Sequence, residues 1–219
     1  GGEMSEQFVV PGEKVALVGN QFSRTQYIFE EWNTEIDASG DCYSDKDSIM
    51  PSGNMILYAQ WKRYFIVYFL PNGGTGSMVD QVFYEGDEKQ LIHNTFVREG
   101  YVFVGWNTGQ SGNGTAYADR QSILSPTRNL YLYAQWRSYC SVVFDPNGGS
   151  GTQNTQQYVS GIEQVLNANT FTRDGWVFIG WNTSPDGSGT WYNDAQPISI
   201  NASVTLYAQW MQADGEENG

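Results

Sequence analysis

The sequence predicts a mainly-β protein made of small α+β modules, repeated in tandem about every 75 residues, with a truncated first repeat. Three motifs share this period. Trp-Asn-Thr begins at Trp32, Trp106 and Trp181, Leu-Tyr-Ala-Gln-Trp ends at Trp61, Trp136 and Trp210, and Pro-Asn-Gly-Gly begins at Pro71 and Pro146. Abundant glycine (25 residues) beside a low charged fraction (16%) is typical of turn-rich β structure.

The motif positions divide the chain into a truncated first repeat at 1–61, a second repeat at 62–136, a third repeat at 137–210 and an acidic tail at 211–219. Two residues, Lys62-Arg63 or Arg137-Ser138, separate each repeat from the first strand of the next. We therefore expect short linkers and a semi-rigid array in which each repeat touches only its neighbours.

The first repeat is incomplete. Nothing before Phe8 corresponds to the leading strand and the Pro-Asn-Gly-Gly turn of the later repeats. An uncapped strand edge promotes aggregation, so we expect the segment Phe8–Val10 to be covered or frayed. Residues 1–7 carry no hydrophobic signal-peptide region and look like an arbitrary start, which indicates a piece of a longer protein.

The second repeat shows every expected element. Residues 64–69 alternate as a strand, Asn72-Gly73-Gly74 suits a turn, and a second strand lies near 79–84. Residues 87–98 suit either a short helix or an irregular crossover. A third strand covers 101–106, and the glycine- and asparagine-rich stretch 107–115 predicts a loop.

The last strand of each repeat has the clearest period-2 pattern. One face is predicted to be buried, and it carries Met55, Leu57, Ala59 and Trp61, then Leu130, Leu132, Ala134 and Trp136, then Val204, Leu206, Ala208 and Trp210. On the opposite face we expect half-exposed glutamine and tyrosine side chains. The six repeated tryptophans are predicted to be core residues: Trp32, Trp61, Trp106, Trp136, Trp181 and Trp210.

Composition excludes several classes of partner. The net charge is −13, and no cluster of Lys and Arg is available for nucleic acid or for an anionic membrane. No run of 18 apolar residues occurs, so we predict no inserted segment. The two cysteines, Cys42 and Cys140, stand at non-equivalent positions, and we predict two unpaired thiols with Cys140 packed as a small hydrophobe.

The sequence contains no set of residues that indicates catalysis. His93 is the single histidine, and its equivalent in the third repeat is Ala168. The acidic residues lie scattered over loops rather than as repeated pairs. Two acidic loops, 37–41 and 186–189, could suggest calcium binding, but a glycine-rich turn explains them because the middle copy lacks the acids. We predict no enzyme, no metal and no cofactor.

Five ordered motifs together resemble a known family. They are Phe144–Gly149, Thr170–Gly175, Gly180–Thr183, Asp186–Thr190 and Leu206–Trp210, and they resemble the Listeria–Bacteroides repeat, a family that includes the internalin B-repeat. The resemblance covers residues 8–210. It implies compact β-grasp-like modules in tandem, in secreted or wall-attached bacterial surface proteins, with a stalk or adhesion role and no catalytic residues. Glu30, Glu31 and Asp41-Cys42 depart from it, so the first repeat is either degenerate or specialised.

One tryptophan does not belong to the repeated sequence pattern. Trp191 aligns with Ala116 and Cys42, and it lies next to Tyr192 and near Asp194. These three residues are candidate ligand contacts, since an exposed Trp–Tyr pair can stack on a sugar or anchor a protein. In the other interpretation, the Trp191 ring packs over its own loop and contacts no ligand. The sequence favours a non-catalytic cell-surface spacer and adhesion array, located outside the cell, with a module that binds a glycan or a host surface protein as the alternative.

Overall fold

A computed structural model describes residues 1–213, and within them the chain is all β. Its strands are β1 (Val15–Ala16), β2 (Tyr27–Asn33), β3 (Cys42–Tyr43), β4 (Ser48–Ile49), β5 (Tyr58–Leu70), β6 (Gln81–Tyr84), β7 (Glu88–Gln90), β8 (Tyr101–Asn107), β9 (Ala116–Tyr117), β10 (Ser122–Leu124), β11 (Leu130–Asp145), β12 (Gln156–Val159), β13 (Gln164–Val165), β14 (Trp176–Asn182), β15 (Trp191–Tyr192), β16 (Pro197–Ile198) and β17 (Val204–Gln212).

The prediction of a mainly-β protein is confirmed. No helix is present in residues 1–213, so the stretch 87–98 is a crossover that contains β7 and not a helix. None of the described residues forms a helix long and apolar enough to cross a membrane. The predicted acidic tail lies, from residue 214 onwards, outside the described residues.

The chain divides into two compact units that do not follow the repeats. The first unit contains Gly1–Leu70, Ser77–Thr95 and Trp106–Tyr133, and the second contains Pro71–Gly76, Phe96–Gly105 and the chain from Ala134 onwards. The second repeat therefore contributes residues to both units. The first repeat lies wholly in the first unit and the third repeat wholly in the second.

The third repeat shows the complete arrangement of strands. The second half of β11 is central, with β12 antiparallel on one side and β17 parallel on the other. Strand β14 then pairs antiparallel with β17, and β15 pairs with β14. The short pair β13–β16 adds to the same core. Eleven buried residues form this core, from Cys140, Val142 and Phe144 on β11 to Trp181 on β14 and Leu206 on β17.

Strands β5 and β11 run without a break through the predicted repeat boundaries. The expected linkers Lys62-Arg63 and Arg137-Ser138 lie inside these strands. The prediction of two-residue linkers is therefore wrong. The physical reason is that β5 and β11 contain no glycine or proline and that an aromatic residue stands on each side of either pair, so nothing interrupts the extended backbone.

The second repeat repeats the arrangement around its leading strand. Tyr64–Val67 pair antiparallel with β6, and Val67–Leu70 pair parallel with Leu130–Tyr133 of β11. In both complete repeats, the strand by which the chain enters and the strand by which it leaves are hydrogen-bonded neighbours that run in the same direction.

In the first and third repeats, a β-bulge interrupts the pairing of the third strand just before the tryptophan. In the third repeat the register shifts between Phe178 and Gly180, and in the first it shifts between Phe29 and Glu31. Gly180 has a φ of 144°, which suits glycine. Glu30 takes the bulged position and is exposed, with its carboxylate 4.0 Å from the Lys62 ammonium, whereas Glu31, directly beside Trp32, is half-buried.

The Pro-Asn-Gly-Gly motif is a tight turn. Asn147 and Gly148 have φ values of 47° and 85°, and the Gly149 N–H donates to the Pro146 carbonyl at 2.9 Å. The indole N–H of Trp210 donates to the same carbonyl at 2.9 Å. A Cβ on Gly149 would lie 2.7 Å from that indole, so this glycine is required by the close approach of the ring. Pro71, Gly74 and Trp136 make the same contacts.

Two details of the predicted strand faces are wrong. Met55 and Leu57 lie before β5 rather than in it, and Met55 is exposed. Gln209, expected to be half exposed, is buried, and its amide donates to the carbonyls of Ser184 and Tyr207. Met55 is exposed because the strand that covers its equivalents Leu130 and Val204 has no counterpart in the described part of the first repeat.

Candidate functional site

The loop after the third repeat's tryptophan is organised by a buried amide. Asn182 is 0% exposed, and its Oδ1 accepts hydrogen bonds from the N–H groups of Ser184 and Gly189, both at 2.9 Å. Its Nδ2 donates to the carbonyls of Gly187 and Gly189. One side chain thus provides hydrogen bonds for backbone groups at both ends of a loop that lies outside the strands.

The same construction occurs in all three repeats. The asparagine of each Trp-Asn-Thr motif is buried and forms hydrogen bonds with the backbone of the loop that follows it. The threonine hydroxyl accepts the backbone N–H seven residues later: Thr34 from Asp41, Thr108 from Thr115, and Thr183 from Thr190. These contacts also mean that Asn182, although it begins an Asn-Thr-Ser sequence, offers no accessible amide for glycosylation.

Trp191 lies directly beyond this loop. It pairs with Asn182 across β14–β15, and it is 49% exposed. Its ring lies over two glycines, since Cβ atoms built on Gly180 and Gly187 would come within 3.6 and 3.7 Å of it. The indole therefore rests on flat backbone while about half of it stays open to solvent. Both sequence interpretations hold in part, because the ring covers its loop and is still accessible.

The other two candidate contacts do not join Trp191. Tyr192 is the next residue on a strand, so it points to the opposite side, where it packs against the core. The Asp194 carboxylate accepts the Asn169 N–H at 2.8 Å. Asp45 and Asp119 accept equivalent N–H groups from Asn20 and Asn94, so this aspartate has a structural role in every repeat. The three residues do not form one surface.

The neighbours of Trp191 were not found from the sequence. They are Gly180 and Gly187. The second repeat has glycine at both positions too, Gly105 and Gly112. The two glycines alone therefore do not indicate a site. The sequence could have indicated this one, because only the third repeat combines these glycines with a tryptophan.

The six repeated tryptophans fall into two groups. Trp32, Trp106 and Trp181 are buried, and each packs on phenylalanine rings. Trp61, Trp136 and Trp210 are half-buried at the edge of the core. The second group contacts one phenylalanine each, Phe29, Phe103 and Phe178.

The groups considered for chemistry are dispersed. The His93 Nδ1 lies 2.5 Å from the Asp119 carboxylate, and the imidazole is exposed. Cys42 is exposed, Cys140 is buried, and both thiols are free, as predicted. Within residues 1–213, no group of three or more His, Cys, Asp or Glu side chains is placed to hold a metal ion.

The acid of the third-repeat loop is engaged inside the loop. Hydrogen bonds from the Ser188 hydroxyl (2.6 Å), the Ser184 hydroxyl (2.7 Å) and the Ser188 N–H lower the pKa of Asp186 from 3.8 to about 2. The pKa of Asp37, at the equivalent place in the first repeat, is lowered by Ser39. The second repeat has Ser111 there, so it lacks the interaction.

We expect this loop to loosen in acid. A folded-state pKa below the unfolded value means that the Asp186 contribution is present above pH 3.8 and lost as the pH falls through about 2. The protection of the Ser184 and Ser188 amides from hydrogen exchange, relative to the intrinsic exchange rate at each pH, should fall over that interval. The protection of the equivalent loop of the second repeat should stay unchanged. Asp186→Asn should remove the pH dependence. An equal loss of protection in both loops would contradict the assignment.

Fold and site together define a class of protein: a tandem β-repeat protein in which an apolar core and an asparagine-centred loop are rebuilt in each repeat. The Listeria-Bacteroides repeat domain matches residues 1–60, 65–135 and 141–209. The chain therefore belongs to the Listeria-Bacteroides repeat family, as its motifs predicted.

Two similar bacterial proteins show how this chain relates to longer ones. A protein of Evansella cellulosilytica named "Putative Gly-rich membrane protein" is 32% identical over 209 residues, which is 90% of this chain and 24% of that protein. Internalin H of Listeria monocytogenes is 34% identical over 119 residues, 53% of this chain and 20% of its own length. The chain thus spans about a quarter or less of these relatives. The family and the relatives fit a non-catalytic repeat protein.

Proposed function

We propose that this chain is part of the stalk of a bacterial surface protein, secreted or attached to the cell wall, which holds a more distant domain away from the cell. The family and the names of its relatives support a surface location. The observation that carries the stalk role is the pairing of entry and exit strands in each complete repeat. This pairing suits a segment that is pulled from both ends.

The argument is mechanical. In the third repeat, Val142–Asp145 of β11 run parallel to Val204–Tyr207 of β17. Tension on the two ends of this repeat pulls these strands past each other, so all the hydrogen bonds between them are loaded at once. The second repeat has the same parallel pair between β5 and β11. A stalk under load needs this resistance, whereas a catalytic scaffold does not.

Single-molecule force spectroscopy tests the stalk role. Pulling the chain by its two ends should unfold each complete repeat at high force. In a control geometry, the handles are placed at Trp176 and Gln212, which are paired at one end of the antiparallel β14–β17 pair. This geometry opens the bonds one after another and should need less force. Equal forces in the two geometries would contradict the stalk proposal.

The charge of the chain is consistent with a spacer. Residues 1–61 carry ten acids and three bases, and residues 137–219 carry eight acids and two bases. Like charge on neighbouring copies opposes self-association on a crowded surface.

A second candidate function is recognition of a glycan or a host surface protein by the third repeat. The exposed half of the Trp191 ring supports it, because a flat indole supported by glycine backbone is suited to stacking on a sugar or to anchoring a protein. The test is a glycan and cell-surface protein array. Trp191→Ala should abolish any hit with the melting temperature nearly unchanged, and Trp176→Ala, at another exposed tryptophan, should leave it intact. A hit that survives Trp191→Ala would remove this candidate.

A further inference from the structure

One face of the third repeat carries four exposed apolar side chains, which we call the Trp191 face. Its members are Val177 and Ile179 on β14, Met211 on β17 and Trp191 on β15. Their chain neighbours Phe178, Trp210 and Tyr192 pack against the core. Because successive strand residues point to opposite sides, the four side chains point away from the core.

The Trp191 face is continuous. Val177 and Met211 stand directly opposite each other in the β14–β17 pair. Ile179 is the extra residue of the bulge, directly before Gly180, and the Trp191 ring lies within 3.6 Å of a Cβ built on that glycine. The glycine therefore lets the indole lie against the strand beside Ile179.

The other two repeats do not build this face. The equivalent residues are Ile28, Glu30, Lys62 and Cys42 in the first repeat and Val102, Val104, Arg137 and Ala116 in the second. Charge or a small side chain thus interrupts both. Ile28 and Val104 are 45% and 44% exposed although a further repeat follows each of them, so this side of a repeat stays open within an array. A contiguous exposed apolar surface marks an interaction site.

The polar side chains that border Trp191 are already engaged within the repeat. The hydroxyls of Ser184 and Ser188 donate to Asp186. The Gln209 amide donates to two backbone carbonyls, and Asn182 is fully used by its loop. A sugar is recognised by hydrogen bonds from side chains placed around the aromatic ring, whereas a protein side chain is recognised by apolar contact. This surroundings therefore favours a protein as the ligand.

The charge of the third repeat favours a basic partner. Residues 137–210 carry five acids and two bases. Arg137 donates to the Ser160 carbonyl, and the Arg173 guanidinium lies over the Trp176 ring. Asp186 precedes the glycine on which the Trp191 ring rests, and its serine hydrogen bonds keep the carboxylate ionised at neutral pH. Lysine or arginine side chains beside an apolar anchor would complement this charge.

We propose that the Trp191 face docks a protein segment in which apolar and basic side chains alternate. The apolar side chains of the partner pack on Trp191, Ile179 and Met211, and its basic side chains lie towards the acids of the repeat. Trp191 is the anchor, because a large aromatic side chain at the centre of an interface contributes most to affinity. This inference rests on the second candidate function and identifies its ligand as a protein and not a glycan.

The probe for the test is a synthetic peptide of alternating lysine and valine, about ten residues long. Two matched peptides carry serine in place of valine, or glutamate in place of lysine. The full chain is labelled with 5-fluorotryptophan, and the Trp191 signal is assigned by its absence from Trp191→Phe. In fluorine NMR titrations, the lysine–valine peptide should shift this signal and bind about tenfold or more tightly than either matched peptide.

A double variant tests the apolar contact at constant net charge. Ile179→Glu with Met211→Lys places on this face the pair that the first repeat carries as Glu30 and Lys62. Binding of the lysine–valine peptide should weaken about tenfold or more, with the melting temperature nearly unchanged because both side chains are exposed. Ile179→Ala should also weaken binding, and the matched control Val104→Ala, at the equivalent exposed position, should not.

Equal affinity for the valine and serine peptides would overturn the proposal, because charge alone would then explain binding. Equal affinity of the double variant and the unchanged chain would overturn it as well. If the lysine–valine peptide does not bind while a glycan is lost in Trp191→Ala, the ligand is a sugar, so this proposal fails and the second candidate function stands. If no ligand depends on Trp191, both fail. The stalk role is tested separately by the force measurement.

Discussion

Trp181→Ala should lower the free energy of unfolding of the third repeat by about 3–5 kcal/mol, the usual cost of truncating a fully buried large aromatic side chain. The Trp181 ring is 0% exposed and contacts Phe144, Phe171 and Phe178, with ring centroids 4.8 to 6.1 Å away. These rings come from three separate segments, so the cavity cannot close without moving all of them. Hydrogen exchange of β14 and β17 amides measures the loss in the full chain.

The matched control for this prediction is Trp191→Ala in the same repeat. It removes the same side chain from a half-exposed position, and the expected cost is below about 1 kcal/mol, as for most surface changes. A comparable loss in both variants would mean that the Trp191 ring is as important to the core as Trp181. That outcome would also remove the second candidate function.

Asn182→Ala should cost the third repeat about 2–3 kcal/mol. The substitution leaves the N–H groups of Ser184 and Gly189 and the carbonyl of Gly187 without the amide they bond, and a partly buried polar group without a partner costs about 1–3 kcal/mol. The loop 183–190 should then exchange its amides faster than the rest of the repeat. Because Trp191 follows this loop, the exposure of its ring should rise as well.

Asn193→Ala is the control for the asparagine variant. This side chain is exposed and, in the described residues, makes no hydrogen bond, so the expected change in stability is within about 0.5 kcal/mol. If Asn182→Ala were equally mild, the loop would be held by its glycines and by Thr183 alone. The buried asparagine would then have no measurable role in stability.

Local signals in the sequence were sufficient for much of the fold. The common period of three motifs identified the repeats and the family, and alternation identified the last strands. Asn72-Gly73 predicted its turn because both residues accept the left-handed backbone conformation. These features depend on residues close together in the chain, which is why sequence reasoning could find them.

The candidate site was predicted less well. Trp191 was singled out correctly as a residue that the repeat does not require, and it is half exposed. The two residues predicted to join it do not: Tyr192 packs against the core, and the Asp194 carboxylate accepts the Asn169 N–H. The pleat sends adjacent strand residues to opposite faces, and the sequence could not tell which face of β15 would be buried.

By itself, the sequence determined the period, the family, the mainly-β class and the residues available for the core. Only the tertiary structure decided that Lys62-Arg63 and Arg137-Ser138 continue strands instead of linking modules, and that Trp181 is enclosed while Trp210 lies at an edge. The physical reason is that a strand acquires its neighbours, and a side chain its burial, from residues some 60 positions away along the chain. Pairs such as Val142 with Val204 exist only once the chain has folded.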